Sequence, residues 1–133
     1  EIRTGVDAFG QPGLLSGFDH VVIATGDHHK HAAGVVPERD DAPDEKPVAV
    51  EFLATSISSG GNGHGDQGFD HLLRNNPNLD LYTDYRGYQL FDITPERWVT
   101  DVKVMDVVER PGGTIRSLVR YEVQPEAPRL HRI

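Results

Sequence analysis

A short apolar run that ends in a cluster of metal-binding side chains constrains this chain more than any other feature. The run Val21-Val22-Ile23-Ala24-Thr25 is rich in β-branched residues, which predicts a buried strand. Gly26 then allows the backbone to turn or to approach a ligand closely. The residues that follow are Asp27, His28, His29, Lys30 and His31. Because α/β proteins usually place their active sites at the carboxyl ends of buried strands, the sequence predicts a candidate site here.

The spacing of these polar side chains is compatible with a metal site. If the backbone stays extended past Gly26, side chains alternate between faces, and Asp27, His29 and His31 share one side. One carboxylate and two imidazoles suit iron, zinc or manganese. The alternative is equally open at this point, because the chain has seven histidines and a histidine-rich loop can be solvated surface without a ligand.

Composition excludes several classes of partner. The formal net charge of -8 provides no basic stripe for nucleic acid and no attraction to anionic lipid headgroups. No apolar run approaches the ~20 residues of a membrane-spanning helix. Cysteine is absent, which excludes disulfides and thiolate ligands from this chain. At 133 residues the chain is one domain or part of one. Because it begins at Glu1 without Met, we expect a processed product, an expression product or a fragment.

Periodicity predicts a chain made mostly of β-strands. We expect strands over residues 18–25, 47–55, 86–94, 98–108 and 115–123 and one short helix over residues 66–75 that Asp66 caps. We expect an irregular segment over residues 1–17, an exposed, proline-rich loop over residues 34–47 and a frayed tail over residues 124–133.

A glycine-rich loop over residues 56–65 and one arginine are further candidates for function. The amides of the loop could bind an anion, but such loops are more often flexible, and we expect flexibility unless the loop lies beside the metal cluster. Arg86 could hold a phosphate, although a salt bridge at a strand edge is the commoner role. We expect His71 on the surface and Tyr88 and Trp98 in the core.

Several segments, in order along the chain, resemble one family. After the apolar strand and Gly26-Asp27-His28-His29, the chain continues with Glu51-Phe52-Leu53-Ala54-Thr55-Ser56-Ile57-Ser58-Ser59-Gly60-Gly61, Asn76-Pro77, Arg86-Gly87-Tyr88, Thr94-Pro95-Glu96-Arg97-Trp98 and Thr100-Asp101. This order is similar to the C-terminal part of the alkaline phosphatase D family, PhoD-like metallophosphoesterases that include phosphodiesterases and bacterial phospholipases D. The resemblance covers residues 18–111.

The resemblance implies an α/β fold in which this chain is the C-terminal part of an αββα sandwich, with a two-metal site of iron and calcium at its edge; zinc or manganese are alternatives. Matched residue by residue, it makes Asp27 and His29 metal ligands. It makes His31 a ligand, a residue behind the ligands or a phosphate contact. His28 departs from the family, whose members usually carry Val or Ile there.

The resemblance also implies metal-dependent hydrolysis of a phosphate ester, with a phosphodiester, a phospholipid or a phosphomonoester as substrate. The resemblance does not assign a proton donor; from histidine's titration range alone, His31 or His64 could protonate the leaving group, and Arg86 could contact the substrate. The remaining ligands of the family lie in N-terminal motifs with no counterpart here. We therefore expect a larger N-terminal chain of the same enzyme as partner, separated by proteolytic nicking, and a secreted or periplasmic location.

Two other functions remain open from the sequence. The chain could be a non-catalytic, β-rich binding or structural module whose histidines are incidental. A metal-free, histidine-dependent hydrolase is less favoured, because the chain has no Gly-x-Ser-x-Gly element to place a serine nucleophile.

Overall fold

A computed structural model describes residues 21–39, 41, 46–124 and 127–133. The predicted segment 1–17, residues 18–20 of the first predicted strand and parts of the predicted loop and tail lie outside the described residues. The described part of the chain contains eight strands and one short helix. In chain order they are β1 (Val21–Thr25), β2 (His31–Pro37), β3 (Pro47–Leu53), α1 (Asp70–Asn75), β4 (Leu79–Thr83), β5 (Gly87–Ile93), β6 (Trp98–Met105), β7 (Ile115–Gln124) and β8 (Ala127–Arg132). The prediction of a mostly β-strand chain is confirmed.

The strands form two four-stranded sheets. The first sheet has the order β1-β3-β2-β4, and the second has the order β5-β6-β7-β8. In the first sheet β1 runs parallel to β3, whereas β2 is antiparallel to both β3 and β4. It follows that β1, β3 and β4 all run in the same direction. The second sheet is an antiparallel meander, as the alternating apolar residues of its sequence predict.

One hydrophobic core joins the two sheets. The first sheet contributes Ala33, Val50, Phe52 and Leu81, and the second contributes Val102, Val104, Tyr121 and Val123. Phe52 is fully buried, and its ring lies 6.0 Å from that of Tyr121 and 6.2 Å from that of Phe91. Such aromatic contacts across the interface add to the stability gained from buried area. The core therefore fixes the relative position of the two sheets.

Three predictions about the elements are wrong. The predicted loop 34–47 begins inside β2, a central strand whose first four residues are buried. The predicted frayed tail 124–133 contains β8, which pairs with β7. The helix begins at Asp70 and not at Asp66, its N-cap is Phe69, and no side chain caps it. In the first two cases pairing with neighbouring strands supplies hydrogen bonds that local sequence does not reveal.

The direction of the strands places three connections at one edge of the first sheet. The carboxyl ends of β1, β3 and β4 lie at this edge, and the amide of Ala54, after β3, donates to the carbonyl of Thr25 at 2.9 Å. The chain segments after these strands therefore start close together, as expected for a site at the carboxyl ends of strands. The described part of the chain contains no helix that is long and apolar enough to cross a membrane.

Candidate active site

Three segments build the candidate site at this sheet edge. The first is the histidine turn, residues 26–30, which follows β1. The second is the glycine loop, residues 56–65, which lies between β3 and α1. The third is residues 84–86, which connect β4 to β5 and thereby the two sheets.

The histidine turn is not an extended strand. Asp27 and His29 have φ angles of 73° and 56°, and the amide of His28 donates to the carbonyl of Gly26 at 2.9 Å. The predicted alternation of side chains past Gly26 requires an extended backbone, and this turn is not extended. Positive φ is uncommon for residues other than glycine, although Asn, Asp and His adopt it more readily than others. The turn leaves the side chains of Asp27 and His29 exposed to solvent.

His28 and His31 point to different surroundings. The Nε2 atom of His28 lies 2.7 Å from the hydroxyl of Tyr82 on β4, so this residue, which departs from the family pattern, packs against the first sheet. His31 begins β2 and is fully buried, and its Nε2 has no hydrogen-bond partner among the described residues. Burial lowers the pKa of His31 to about 4, so its ring is neutral at physiological pH.

The glycine loop lies beside the histidine turn and is held in place by specific contacts. The amide of His64 donates to Oδ2 of Asp84 at 3.0 Å, and the carbonyl of Gly65 accepts from the amide of Asp84 at 2.8 Å. At the other side of the loop, Asn62 donates to Glu109 and accepts from the amide of Val108. The loop is thus fixed by specific contacts, and its role in anion binding stays a prediction. The side chain of His64 is exposed.

Asp84 is a buried, charged residue of the candidate site that the sequence does not single out. Its side chain is only 4% exposed, and Oδ1 accepts from Nζ of Lys30 at 2.8 Å and from Nη1 of Arg86 at 2.9 Å. Burial opposes ionisation of this carboxyl. Hydrogen bonds from Lys30 and the His64 amide, with the charge of Arg86, outweigh burial and hold the pKa of Asp84 below its usual value. The sequence carries one signal for it, a carboxylate two positions before an arginine; the strand β4 that precedes Asp84 is not predicted from the sequence.

Arg86 is buried and serves several acceptors. Besides its ion pair with Asp84, Nη1 donates to the carbonyl of His29 at 2.9 Å, and Nε donates to the carbonyl of Gly61 at 2.9 Å. Nη1 also lies 3.3 Å from the hydroxyl of Thr55. Among the described residues, none accepts a hydrogen bond from Nη2. Arg86 therefore forms the salt bridge that the sequence favoured, while one nitrogen is left for another acceptor.

The described residues do not by themselves complete a metal centre. Within the part of the chain that the structure describes, no group of three or more His, Cys, Asp or Glu side chains is placed to hold a metal ion. The donors at the histidine turn, a carboxylate and an imidazole, are nevertheless of the kind that iron, zinc and manganese accept, and a carboxylate also suits calcium. They fit such a site as part of a ligand set.

Comparisons with known proteins agree on one family. The sequence matches the family model for "PhoD-like phosphatase" over residues 15–102. It is similar to alkaline phosphatase D of Bacillus subtilis (strain 168), with 34% identity over 116 residues that cover 86% of this chain and 20% of that protein. A solved structure, "Structure of PhoD", matches with a TM-score of 0.77 and 34% identity over 85% of this chain and 22% of its own. The chain thus spans about a fifth of the length of the relatives that it matches.

Proposed function

This chain belongs to the PhoD-like phosphatase family, and on that premise we propose that it forms part of a metal-dependent phosphoric ester hydrolase. The observation that carries the proposal is the position of Asp27 and His29, exposed on a turn at the sheet edge where the glycine loop also lies. The reaction would be of the phosphodiesterase, phospholipase D or alkaline phosphatase type. The two sheets would be the C-terminal part of an αββα sandwich, and the enzyme would be secreted or periplasmic.

Asp27 and His29 are the proposed metal ligands of this chain. Iron and calcium are the ions that the family implies, with zinc or manganese as alternatives, and they would activate water and hold the phosphoryl oxygens when bound. Because the described residues contain no group of three ligands, further ligands must come from elsewhere. A larger N-terminal chain of the same enzyme is the proposed source.

The other predicted site residues have two proposed roles, proton transfer and substrate binding. His64 is the better placed proton donor, because its side chain is exposed on the glycine loop. His31 was also predicted to be catalytic, but its buried and neutral ring favours a supporting role behind the ligands. Arg86 would contact the substrate phosphate only through Nη2, since its Nε and Nη1 donate to groups within the chain.

Single substitutions in the histidine turn test the proposal. In the purified enzyme, Asp27→Ala and His29→Ala should each abolish phosphatase and phosphodiesterase activity and lower the bound metal per protein. His28→Ala is the matched control, because it removes a neighbouring imidazole that contacts Tyr82. Full activity with unchanged metal in Asp27→Ala would refute the ligand assignment. A chain that keeps its fold and a binding function after chelation would instead support a non-catalytic, β-rich module.

A further inference from the structure

Asp84 is a junction between three segments of the candidate site. Its Oδ1 accepts from Lys30 at the end of the histidine turn, and its Oδ2 accepts from the His64 amide in the glycine loop. The same Oδ1 pairs with Arg86 two residues further along the chain. One buried carboxylate therefore contacts residues that lie 54 and 20 positions away in sequence.

Arg86 extends this junction to the backbone of both loops. Its guanidinium donates to the carbonyl of His29 in the histidine turn and to the carbonyl of Gly61 in the glycine loop. The ion pair between Asp84 and Arg86 holds the guanidinium in the orientation in which it can reach both carbonyls. The position of His29 relative to the glycine loop thus depends on the Asp84 carboxylate.

A buried ion pair of this kind is not the simplest way to stabilise a fold. Removing charges from water costs free energy that the pair regains only with good geometry and further hydrogen bonds, and apolar residues of similar volume often do as well. The ion pair of Asp84 and Arg86 instead adds geometric specificity, because the carboxylate oxygens of Asp84 favour particular directions for the donors that contact them. Because this ion pair lies between the histidine turn and the glycine loop, its geometry affects how the two segments are placed in the candidate site.

We propose that Asp84 is a positioning residue that fixes the glycine loop against the histidine turn and thereby aligns His64 with the ligands Asp27 and His29. Asp84 itself does not reach the substrate, since its residue is 3% exposed and both of its oxygens are engaged. The expected effect of Asp84 on catalysis rests on the proposed function, whereas its expected effect on the position of the glycine loop does not.

The test compares Asp84→Asn with Asp80→Asn in the purified enzyme. Asp80 is the control, because it lies on β4, the strand that ends directly before Asp84, and accepts from Tyr121 and Arg132 away from the three segments of the site. Asp84→Asn should accelerate hydrogen exchange at the His64 amide while the core amide of Val102 keeps its protection. It should lower kcat by about 10- to 100-fold, the usual effect of losing a group that orients metal ligands, with KM within about threefold of the wild-type value.

The outcomes separate positioning from general stability and from the ligand assignment. Asp80→Asn should lower the melting temperature without changing kcat or exchange at His64. Unchanged exchange at His64 in Asp84→Asn, or a kcat no lower than that of Asp80→Asn, would overturn the proposal. A rise in KM alone would also overturn it, because it would show a contact with substrate. If Asp27→Ala keeps full activity, the ligand assignment fails while exchange at His64 still decides whether Asp84 holds the loop.

Discussion

Gly63 occupies a backbone position that a residue with a side chain cannot adopt without displacing the glycine loop. Its φ angle is +73°, and an added Cβ would overlap the backbone carbonyl of Asp84. Gly68 provides a matched comparison, since it has a φ angle of +83° but open space around it. The two glycines therefore share the backbone penalty and differ in the steric one.

We expect Gly68→Ala to lower the free energy of unfolding by about 1 kcal/mol, the cost of placing a side chain at positive φ. Gly63→Ala should cost about 2 kcal/mol or more, because the overlap with Asp84 adds to that penalty. It should also lower activity, since the loop must move away from Asp84. Denaturant unfolding and steady-state kinetics measure both effects. Equal losses in the two variants would contradict the prediction.

At the scale of single residues, the sequence located the histidine turn but not its geometry. The apolar run before Gly26 and the polar cluster after it were enough to predict a site at the end of β1. The positive φ angles of Asp27 and His29 could not be predicted, because extended and turned backbones are both open to a segment of this composition. Asp84 was missed because its role exists only when Lys30, His64 and Arg86 converge in the folded chain.

At the scale of elements, the apolar runs of β1 and β3 and the longer strands of the second sheet were predicted, whereas β2 and the short strand β4 were not. Strands β6 and β7 carry mostly apolar residues at every second position, interrupted by Thr100 and Ser117, which indicates one buried face. Strand β2 carries alanines, a glycine and a terminal proline, which have weak strand propensity. Its strand conformation comes from its central position between β3 and β4, where both edges find hydrogen-bond partners. Pairing of this kind is a tertiary property that local propensity does not contain.

Tyr121 links the two sheets through a single hydrogen bond. It lies on β7 with its ring in the core, and its hydroxyl donates to Oδ2 of Asp80 on β4 at 2.6 Å. Burial, together with the hydrogen bond to Asp80 and the charge of that carboxylate, raises the pKa of Tyr121 well above its usual value. The neutral hydroxyl is therefore the form that the folded state favours.

Tyr121→Phe should lower the free energy of unfolding at neutral pH by about 1–2 kcal/mol, the contribution of a hydrogen bond to a charged acceptor. Because the folded pKa is raised, the wild-type protein should lose this contribution as the pH rises above about 10, where tyrosine in the unfolded chain ionises. The stability difference between wild type and variant should thus shrink in alkaline solution. Chemical denaturation at pH 7 and above pH 10 measures it, and a difference that stays constant would contradict the assigned hydrogen bond.

At the scale of the whole molecule, the described strands are paired in sheets, whereas the candidate metal site lacks ligands. The described strands form two paired sheets around one shared core. The site at the edge of the first sheet has two proposed ligands, and no third joins them among the described residues. The proposed two-metal centre would require more donors than this, so its remaining ligands would have to reach the edge from outside the described residues.

Relatives of about five times the covered length suggest where those ligands come from, since this chain corresponds to 20% of alkaline phosphatase D of B. subtilis. We therefore expect the active species to include polypeptide beyond this chain, which would supply the remaining ligands. Native mass spectrometry should show a species larger than 14.7 kDa, with metal and phosphoesterase activity confined to that species. Chelation should reduce activity, whereas a chain of 14.7 kDa alone should be folded and inactive. A lone 14.7 kDa species with bound metal and full activity would show that the chain itself supplies every ligand, and the incomplete site would then have to be completed by residues outside the described ranges.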